Sequence, residues 1–242
     1  MSESKIVLFI VEGPSDEQAL APALNNIMSN SVKFKVMHSD ITSDYDSTVD
    51  NIEKRIKKLC VKKFLDKNVQ FVETDICELV HIVDLDGVFT PDTILVANNV
   101  TEVGYYPDRI ETAQENVELL KATRENKRNI LNHLITLDKI SIPKGFIVPY
   151  SIYYMSCSLD HVLHNKMNSS DEEKKADSIS FGDEYDNPTA FKEFFNESFI
   201  KIPGNYNETW DYAKQGLNSL QRGSNFWLCL KAHEDAPNTD IT

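Results

Sequence analysis

Six consecutive apolar residues, Ile6–Val11, constrain the fold of this chain more than any other feature of its sequence. Most of them are β-branched, and such a run is typical of a strand that is covered on both faces, as in a parallel sheet. The strand should end at Glu12, because Gly13 and the proline after it interrupt the pattern. Ser15, with Gln18 three residues later, has the spacing of a helix capping box. The sequence therefore predicts a buried strand that leads directly into a helix.

A second apolar run also ends in acidic residues. Leu79–Val83 has the composition of a strand and leads into Asp84, with Asp86 two residues further on. One carboxylate would end the strand and the other would lie in the turn that Gly87 permits, so we expect both to face the same ion.

Strand and helix patterns alternate along the first 155 residues. Val32–Met37 alternates apolar and basic residues, which indicates a half-exposed strand. Apolar residues recur at helical spacing in residues 50–67 and 116–137, and residues 145–154 have the pattern of a further strand. This β-α-β-α-β-α-β order predicts an α/β fold, with a Rossmann-like, mainly parallel sheet flanked by helices.

After residue 155 the alternation of strand and helix patterns stops. Residues 156–232 are mostly helical in pattern, and we expect them to form a helical extension packed on an α/β domain of residues 1–155. The polar residues 233–242 are predicted to be a disordered tail.

Composition limits the classes of function that need to be considered. The net charge of −13 argues against broad, charge-driven binding of nucleic acid, although it is compatible with a local basic groove. No apolar run approaches the length that crosses a bilayer, and the first residues do not have the pattern of a signal peptide. The four cysteines are far apart in sequence and form no CxxC pair. We therefore expect a cytoplasmic protein with reduced thiols and no membrane partner.

Four acidic residues are candidates for a metal site. In a doubly wound sheet, ligands bind beyond the carboxyl ends of the strands, where Glu12 and Asp84 would lie. Asp16 would lie in the first turn of the following helix and Asp86 in the turn after the second strand. Hard cations prefer carboxylate oxygens, and a site of this kind activates water and stabilises an in-line phosphoryl displacement. We predict that Glu12, Asp16, Asp84 and Asp86 hold Mg²⁺ or Mn²⁺. The alternative is that these acids are helix caps and turn residues.

Two predicted helices carry basic faces. Most such faces are simply solvated, but these are the candidates for contacts with the phosphate backbone of a nucleic acid. The residues concerned are Lys54, Lys57, Lys58, Lys62, Lys121, Arg124 and Arg128.

The segments VEGPSDEQAL and HIVDLDG resemble the Toprim domain that topoisomerases, primases and OLD-family nucleases share. The pattern of that domain is a strand ending in Glu-Gly, a helix, and a later strand ending in Asp-x-Asp. An Asp four residues after the Glu is closest to the OLD-type version, and the resemblance covers about the first 150 residues. The segment PYSIYYMSCSLDHVLHN looks like the corresponding part of RloB-like, stand-alone Toprim proteins. It lacks the Phe-Glu pair expected there, so no role is carried over to Asp160 or His161.

The resemblance implies a metal-dependent nuclease that cleaves RNA or DNA. Glu12 would act as general acid or base or as a metal ligand, and Asp84 and Asp86 would bind the metal, with a weaker assignment for Asp16. No Walker A motif is present, so any ATPase would be a separate protein. Small Toprim proteins of this kind often serve in phage defence beside such an ATPase.

Two other classes of function remain open from the sequence. VDLDGVFTPDT also resembles motif I of haloacid dehalogenase-like phosphatases, in which Asp84 would be the nucleophile and Asp86 the general acid. Gly182–Asp186 resembles the late acidic motif of that superfamily, one residue short of its usual spacing. That alternative gives Glu12 no role. The third class is a non-catalytic Toprim scaffold that binds a protein partner.

Overall fold

The computed structural model describes residues 5–27 and 32–234. In chain order its strands are β1 (Lys5–Val11), β2 (Val32–His38), β3 (Ile76–Asp84), β4 (Leu95–Ala97), β5 (Gly104–Tyr105), β6 (Ile110–Thr112), β7 (Lys139–Ser141) and β8 (Ile147–Met155). Its α-helices are α1 (Pro14–Asn26), α2 (Ile52–Arg55), α3 (Lys63–Lys67), α4 (Val117–Leu134), α5 (Leu159–His164), α6 (Asp171–Glu184), α7 (Pro188–Asn196), α8 (Tyr206–Ala213) and α9 (Trp227–Glu234). A π-helical segment, Ile56–Lys62, joins α2 to α3.

The central sheet has the strand order β2-β1-β3-β8-β7. The pairs β1–β2, β1–β3 and β3–β8 are parallel, whereas β7 runs antiparallel to β8. The predicted α/β class is therefore confirmed, with a mixed five-stranded sheet flanked by helices. The strands β4, β6 and β5 form a separate small sheet within the segment that follows β3. Among the described residues, no helix is both long enough and apolar enough to cross a bilayer.

Both faces of the central sheet are covered, which explains the continuous apolar run in β1. Alternate residues of β1 and β3 belong to two apolar layers, because side chains of a strand point to opposite faces. The layer on the α4 side includes Ile6, Leu8, Ile10, Leu79, Val83, Ile130, Leu131 and Leu134. The layer on the α1 side includes Val7, Phe9, Val11, Leu20, Val80, Ile82, Phe191, Phe195 and Phe226.

Helix α1 begins earlier than the predicted capping box implies. Gly13 is the N-cap, Pro14 takes the first helical position, and the backbone N–H of Gly13 donates to Oδ2 of Asp16 at 2.8 Å. The prediction of Ser15 as the cap was wrong, because the fixed φ of a proline suits the first position of a helix, where its missing N–H costs nothing. The earlier start makes Asp16 the third residue of the helix, so it lies in the first turn, as predicted.

Helices α5, α6, α7 and α9 pack on the α1 side of the sheet, whereas Trp210 and Ala213 of α8 belong to the layer on the α4 side. Phe191 of α7 and Phe226, just before α9, belong to the same apolar layer as Phe9 of β1. His233 and Glu234 are the last residues of α9. The prediction of a disordered tail over residues 233–242 was therefore wrong for these two residues. The rest of that predicted tail lies outside the described residues.

Helices α1 and α6 approach closely at a glycine. Pro22 has no N–H to donate to the carbonyl oxygen of Gln18, and Gly182 packs against that oxygen. A Cβ atom at position 182 would lie 2.8 Å from the Gln18 oxygen and 3.2 Å from Cγ of Pro22. This contact fixes how near α6 lies to the middle of α1.

We predict that Gly182→Ala destabilises the protein, although alanine normally favours a helix over glycine by about 1 kcal/mol. The added methyl group would push α6 away from α1, and overpacking of this kind costs about 1–3 kcal/mol. Urea denaturation measures the free energy of unfolding, with Ser180→Ala on the exposed face of α6 as the matched control. A G182A variant at least as stable as wild type would contradict the packing described.

Candidate functional site

The carboxyl ends of β1 and β3 are neighbours in the sheet. These strands are parallel, with Ile10 beside His81, so Glu12 and Asp84 follow from adjacent strand ends. Both residues line a cavity of about 650 Å³, which we call the acidic cavity. Its other acidic residues are Asp16, Asp40, Asp160 and Asp171. The structure thus brings together three of the four predicted metal ligands.

Asp86, the fourth predicted ligand, lies on a different cavity. The chain turns after β3 through left-handed conformations at Asp86 (φ 48°) and Gly87 (φ 63°). The N–H of Asp86 donates to the carbonyl of Cys157 at 2.8 Å. Its side chain lines a pocket of about 120 Å³ on the α4 side, with Ser43, Tyr105, Arg124 and Lys127, which we call the lysine pocket. The sequence predicted that Asp84 and Asp86 face the same ion, whereas here they line separate cavities.

Lys127 of α4 occupies the space between the acidic residues on that side. Its Nζ donates to Oδ2 of Asp86 at 2.6 Å, to Oγ of Ser43 at 2.9 Å and to Oε1 of Glu12 at 3.4 Å. Only 4% of the Lys127 side chain is exposed. Thr42 also donates to Oε1 of Glu12, at 3.0 Å. One oxygen of Glu12 is therefore held by two donors.

Lys127 is not among the residues predicted for the site, although its position in the sequence indicates a buried charge. Lys127 precedes Leu131 by four residues and Leu134 by seven, so it lies on the apolar stripe of α4. A lysine is almost never fully buried unless it is paired. A charged residue at a core position of an amphipathic helix therefore predicts a buried acidic partner.

Burial raises the pKa values of the carboxyl groups at the acidic cavity. The pKa of Glu12 rises to about 8, mainly because burial disfavours its charge, and Lys127 counteracts only part of this. Burial also raises the pKa of Asp16, to about 6, although its bond from Gly13 opposes the rise. The pKa of Asp84 rises well above its ordinary value, first through burial and then through the charges of Asp16, Glu12 and Asp86. Burial and neighbouring negative charge thus oppose ionisation of these carboxyl groups, and a bound cation would favour it.

For Lys127, neighbouring charges affect the pKa more strongly than burial does. Burial lowers its pKa, but the charges of Asp86 and Glu12 outweigh that effect, so its pKa lies well above the ordinary value. The ammonium group stays charged and neutralises the Asp86 side of the site.

Asp160 enters the acidic cavity from the segment after β8. Oγ of Ser158 caps α5 by accepting from the N–H of His161 at 3.3 Å, which places Asp160 in the first turn. Burial raises the pKa of Asp160, and the nearby Lys174 lowers it. Lys174 and Lys175 of α6 also line the cavity. His161 is buried behind this edge, and burial lowers its pKa.

The predicted phosphate contacts do not line the acidic cavity. Arg124 is buried, and its Nη2 donates to the carbonyls of Gly87 and Thr90, so it is a structural residue of the turn after β3 rather than a surface contact. Arg128 donates to the carbonyl of Val88 and likewise supports this turn. Lys121 pairs with Glu118 of its own helix. Lys54, Lys57, Lys58 and Lys62 lie along α2 and the π-helical segment.

The acidic residues of the dehalogenase-like alternative are not assembled. Asp183 and Asp186, at the end of α6, are exposed and do not line the acidic cavity. Asp86, the general acid in that alternative, is paired with Lys127 and lies on the other cavity from Asp84.

The carboxylate oxygens at the acidic cavity suit a hard cation. Within residues 5–27 and 32–234, no hydrogen bond or ion pair ends on the carboxylate of Asp84, and the same holds for Asp160. In this same part of the chain, no three His, Cys, Asp or Glu side chains are already arranged around a metal position. Asp86 is bonded to Lys127, and Asp16 accepts from the N–H of Gly13. Glu12, Asp16, Asp84 and Asp160 are the residues that could hold a divalent ion.

Comparison with models of known protein families, with curated proteins and with solved structures finds no match to this chain.

We predict that the metal-free protein loses stability as the pH rises from about 5 to about 8. The pKa of Glu12 is about 8 in the folded chain against an ordinary 4.5, so in this range the folded state keeps a proton that the unfolded state releases. The free energy of unfolding therefore falls with pH. Denaturation in chelator at several pH values measures this slope, and Glu12→Gln should reduce it because an amide does not ionise.

The matched control for this slope is Asp211→Asn, on the exposed face of α8, which should keep the wild-type pH dependence. A Glu12→Gln variant with the full wild-type slope would show that Glu12 is ionised throughout this range.

Proposed function

We propose that this protein is a metal-dependent nuclease with a Toprim-like α/β domain, which hydrolyses phosphodiester bonds of RNA or DNA. One observation carries the proposal: Glu12 and Asp84, from neighbouring strand ends, line one cavity whose Asp84 carboxylate lacks a partner within the described residues. The Glu-Gly and Asp-x-Asp resemblance supports the same assignment, because it gives Glu12 a chemical role that the phosphatase alternative does not.

Mg²⁺ or Mn²⁺ bound at the acidic cavity would supply a polarised water and would neutralise charge on the phosphoryl group. Asp84, Asp16 and Asp160 would provide carboxylate oxygens for it. Glu12 would orient and deprotonate the nucleophilic water. Thr42 and Lys127 both donate to Oε1 of Glu12, so its Oε2 is the atom that we assign to the water.

The wall of the cavity formed by α1 and α6 offers positive groups for a substrate phosphate. Lys174 and Lys175 line it, and the first turn of α1 presents the positive end of a 13-residue helix there. We therefore assign contacts with the scissile phosphate to this wall of the cavity, in place of the basic faces of α2 and α4.

The resemblance extends the proposal to the biological setting. A chain of this kind would act in the cytoplasm as an effector of phage defence, with a separate ATPase as partner. The main alternative from the same fold is a scaffold without catalysis, which the experiment below distinguishes.

We predict that Glu12→Ala and Asp84→Asn each reduce metal-dependent cleavage by at least about 100-fold, the scale of a general base or a metal ligand. The assay uses tRNA, single-stranded RNA and plasmid DNA with Mg²⁺ or Mn²⁺. Asp211→Asn is the matched control, because it removes an exposed carboxylate on α8 and should cleave like wild type.

Other outcomes would favour the other classes. A phosphatase activity that survives Glu12→Ala but is lost in Asp84→Asn would establish the dehalogenase-like chemistry. Nuclease activity that persists in the Glu12→Ala variant would contradict the role of Glu12. If neither substitution changes cleavage or an antiviral phenotype, the scaffold function is the better account.

A further inference from the structure

We infer that the site takes one divalent ion per chain, and that the Lys127 ammonium permanently replaces a second ion beside Asp86. The inference rests on the proposed function, because it concerns the metal content of the same site. It makes Asp86 a partner of lysine rather than a metal ligand, although Asp84 and Asp86 are only two residues apart.

The two aspartates line different cavities. Asp84 lies at the end of β3 and lines the acidic cavity on the α1 side of the sheet. Asp86 follows a left-handed turn and lines the lysine pocket on the α4 side. The turn is fixed from both directions, since the N–H of Asp86 donates to Cys157 and the buried Arg124 donates to the carbonyl of Gly87.

Lys127 already neutralises the charge of Asp86. Its Nζ lies 2.6 Å from Asp86 and 3.4 Å from Glu12, with Oγ of Ser43 as a third acceptor at 2.9 Å. An ammonium has three protons to donate, and these three oxygens account for them. A cation in the same place would have to expel a buried ammonium whose ion pairs, among the described residues, are with Asp86 and Glu12.

The carboxylates of the acidic cavity have fewer partners than Asp86 has. Asp84 and Asp160 have no hydrogen-bond or ion-pair partner in the described chain, and Asp16 has one oxygen bonded to a backbone N–H. Lys174 and Lys175 are present there, but neither forms an ion pair with another described residue. One side of the site thus carries its own cation, and the other carries unpaired carboxylates.

Mn²⁺ binding to the full-length chain tests this inference by stoichiometry, with isothermal titration and electron paramagnetic resonance as readouts. We expect one ion per chain for wild type. Asp84→Asn should weaken binding by about tenfold or more, which is the scale expected for loss of a carboxylate near a metal. Asp86→Asn should still bind one ion with an affinity within about threefold of wild type. This pair is matched, because both changes replace one aspartate of the same turn by its amide.

Lys127→Met provides the complementary variant. Without the ammonium, Asp86 and Glu12 lose their cation, and a second Mn²⁺ should bind, which raises the stoichiometry towards two. Asp86→Asn keeps the inference falsifiable if Lys127→Met does not fold.

The outcomes separate the inference from the function. Two ions in wild type, reduced to one by Asp86→Asn, would overturn the inference and leave the nuclease proposal intact. If wild type binds no Mn²⁺ at all, the metal-dependent function itself fails. One ion that is lost in Asp86→Asn and retained in Asp84→Asn would overturn the assignment of the two aspartates.

Discussion

The acidic edge of this sheet depends on one buried ammonium group. Glu12 and Asp86 lie on the same side of the strand ends, and Lys127 contacts both of them while only 4% of its side chain is exposed. Removal of one partner from a buried ion pair typically costs about 3–5 kcal/mol, because the remaining charge stays buried without compensation. Lys127 therefore links the position of α4 to the conformation of the turn after β3.

The other side of the edge has no comparable cation within the described residues. Asp16, Asp84 and Asp160 come from three separate elements, α1, β3 and α5, and converge on one cavity. Their raised pKa values show that the fold holds these carboxyl groups where their charge is unfavourable. Such an arrangement costs stability, and strongly perturbed carboxyl groups that line a cavity are typical of functional sites.

Much of the scaffold could be predicted from the sequence. The apolar run of β1, the helical spacing of α4 and the strand that ends at Asp84 are local patterns, and each forms the expected element. The convergence of Glu12 and Asp84 could also be predicted, because parallel neighbouring strands end at the same edge. The start of α1 at Gly13 was missed, since Pro14 and Asp16 together form a better cap than Ser15.

The placement of Asp84 and Asp86 on two different cavities, which divides the site, could not be predicted in the same way. It depends on the left-handed turn at Asp86 and on Lys127, which lies 41 residues later and reaches the turn only in the folded chain. The position of Asp160 in the acidic cavity also depends on the folded chain, because it is set by the length of the segment between β8 and α5. The predicted surface role of Arg124 was wrong because a periodic basic face does not show which of its members point into the protein.

The location of a bound Mn²⁺ tests the central claim most directly, and anomalous diffraction from crystals soaked in Mn²⁺ would measure it. The account predicts a single strong peak in the acidic cavity, next to Asp84, with Lys127 still bonded to Asp86. A peak between Asp86 and Glu12 with Lys127 displaced would contradict the division of the site. The absence of any peak near Asp84 in crystals that contain Mn²⁺ would contradict the metal-dependent function.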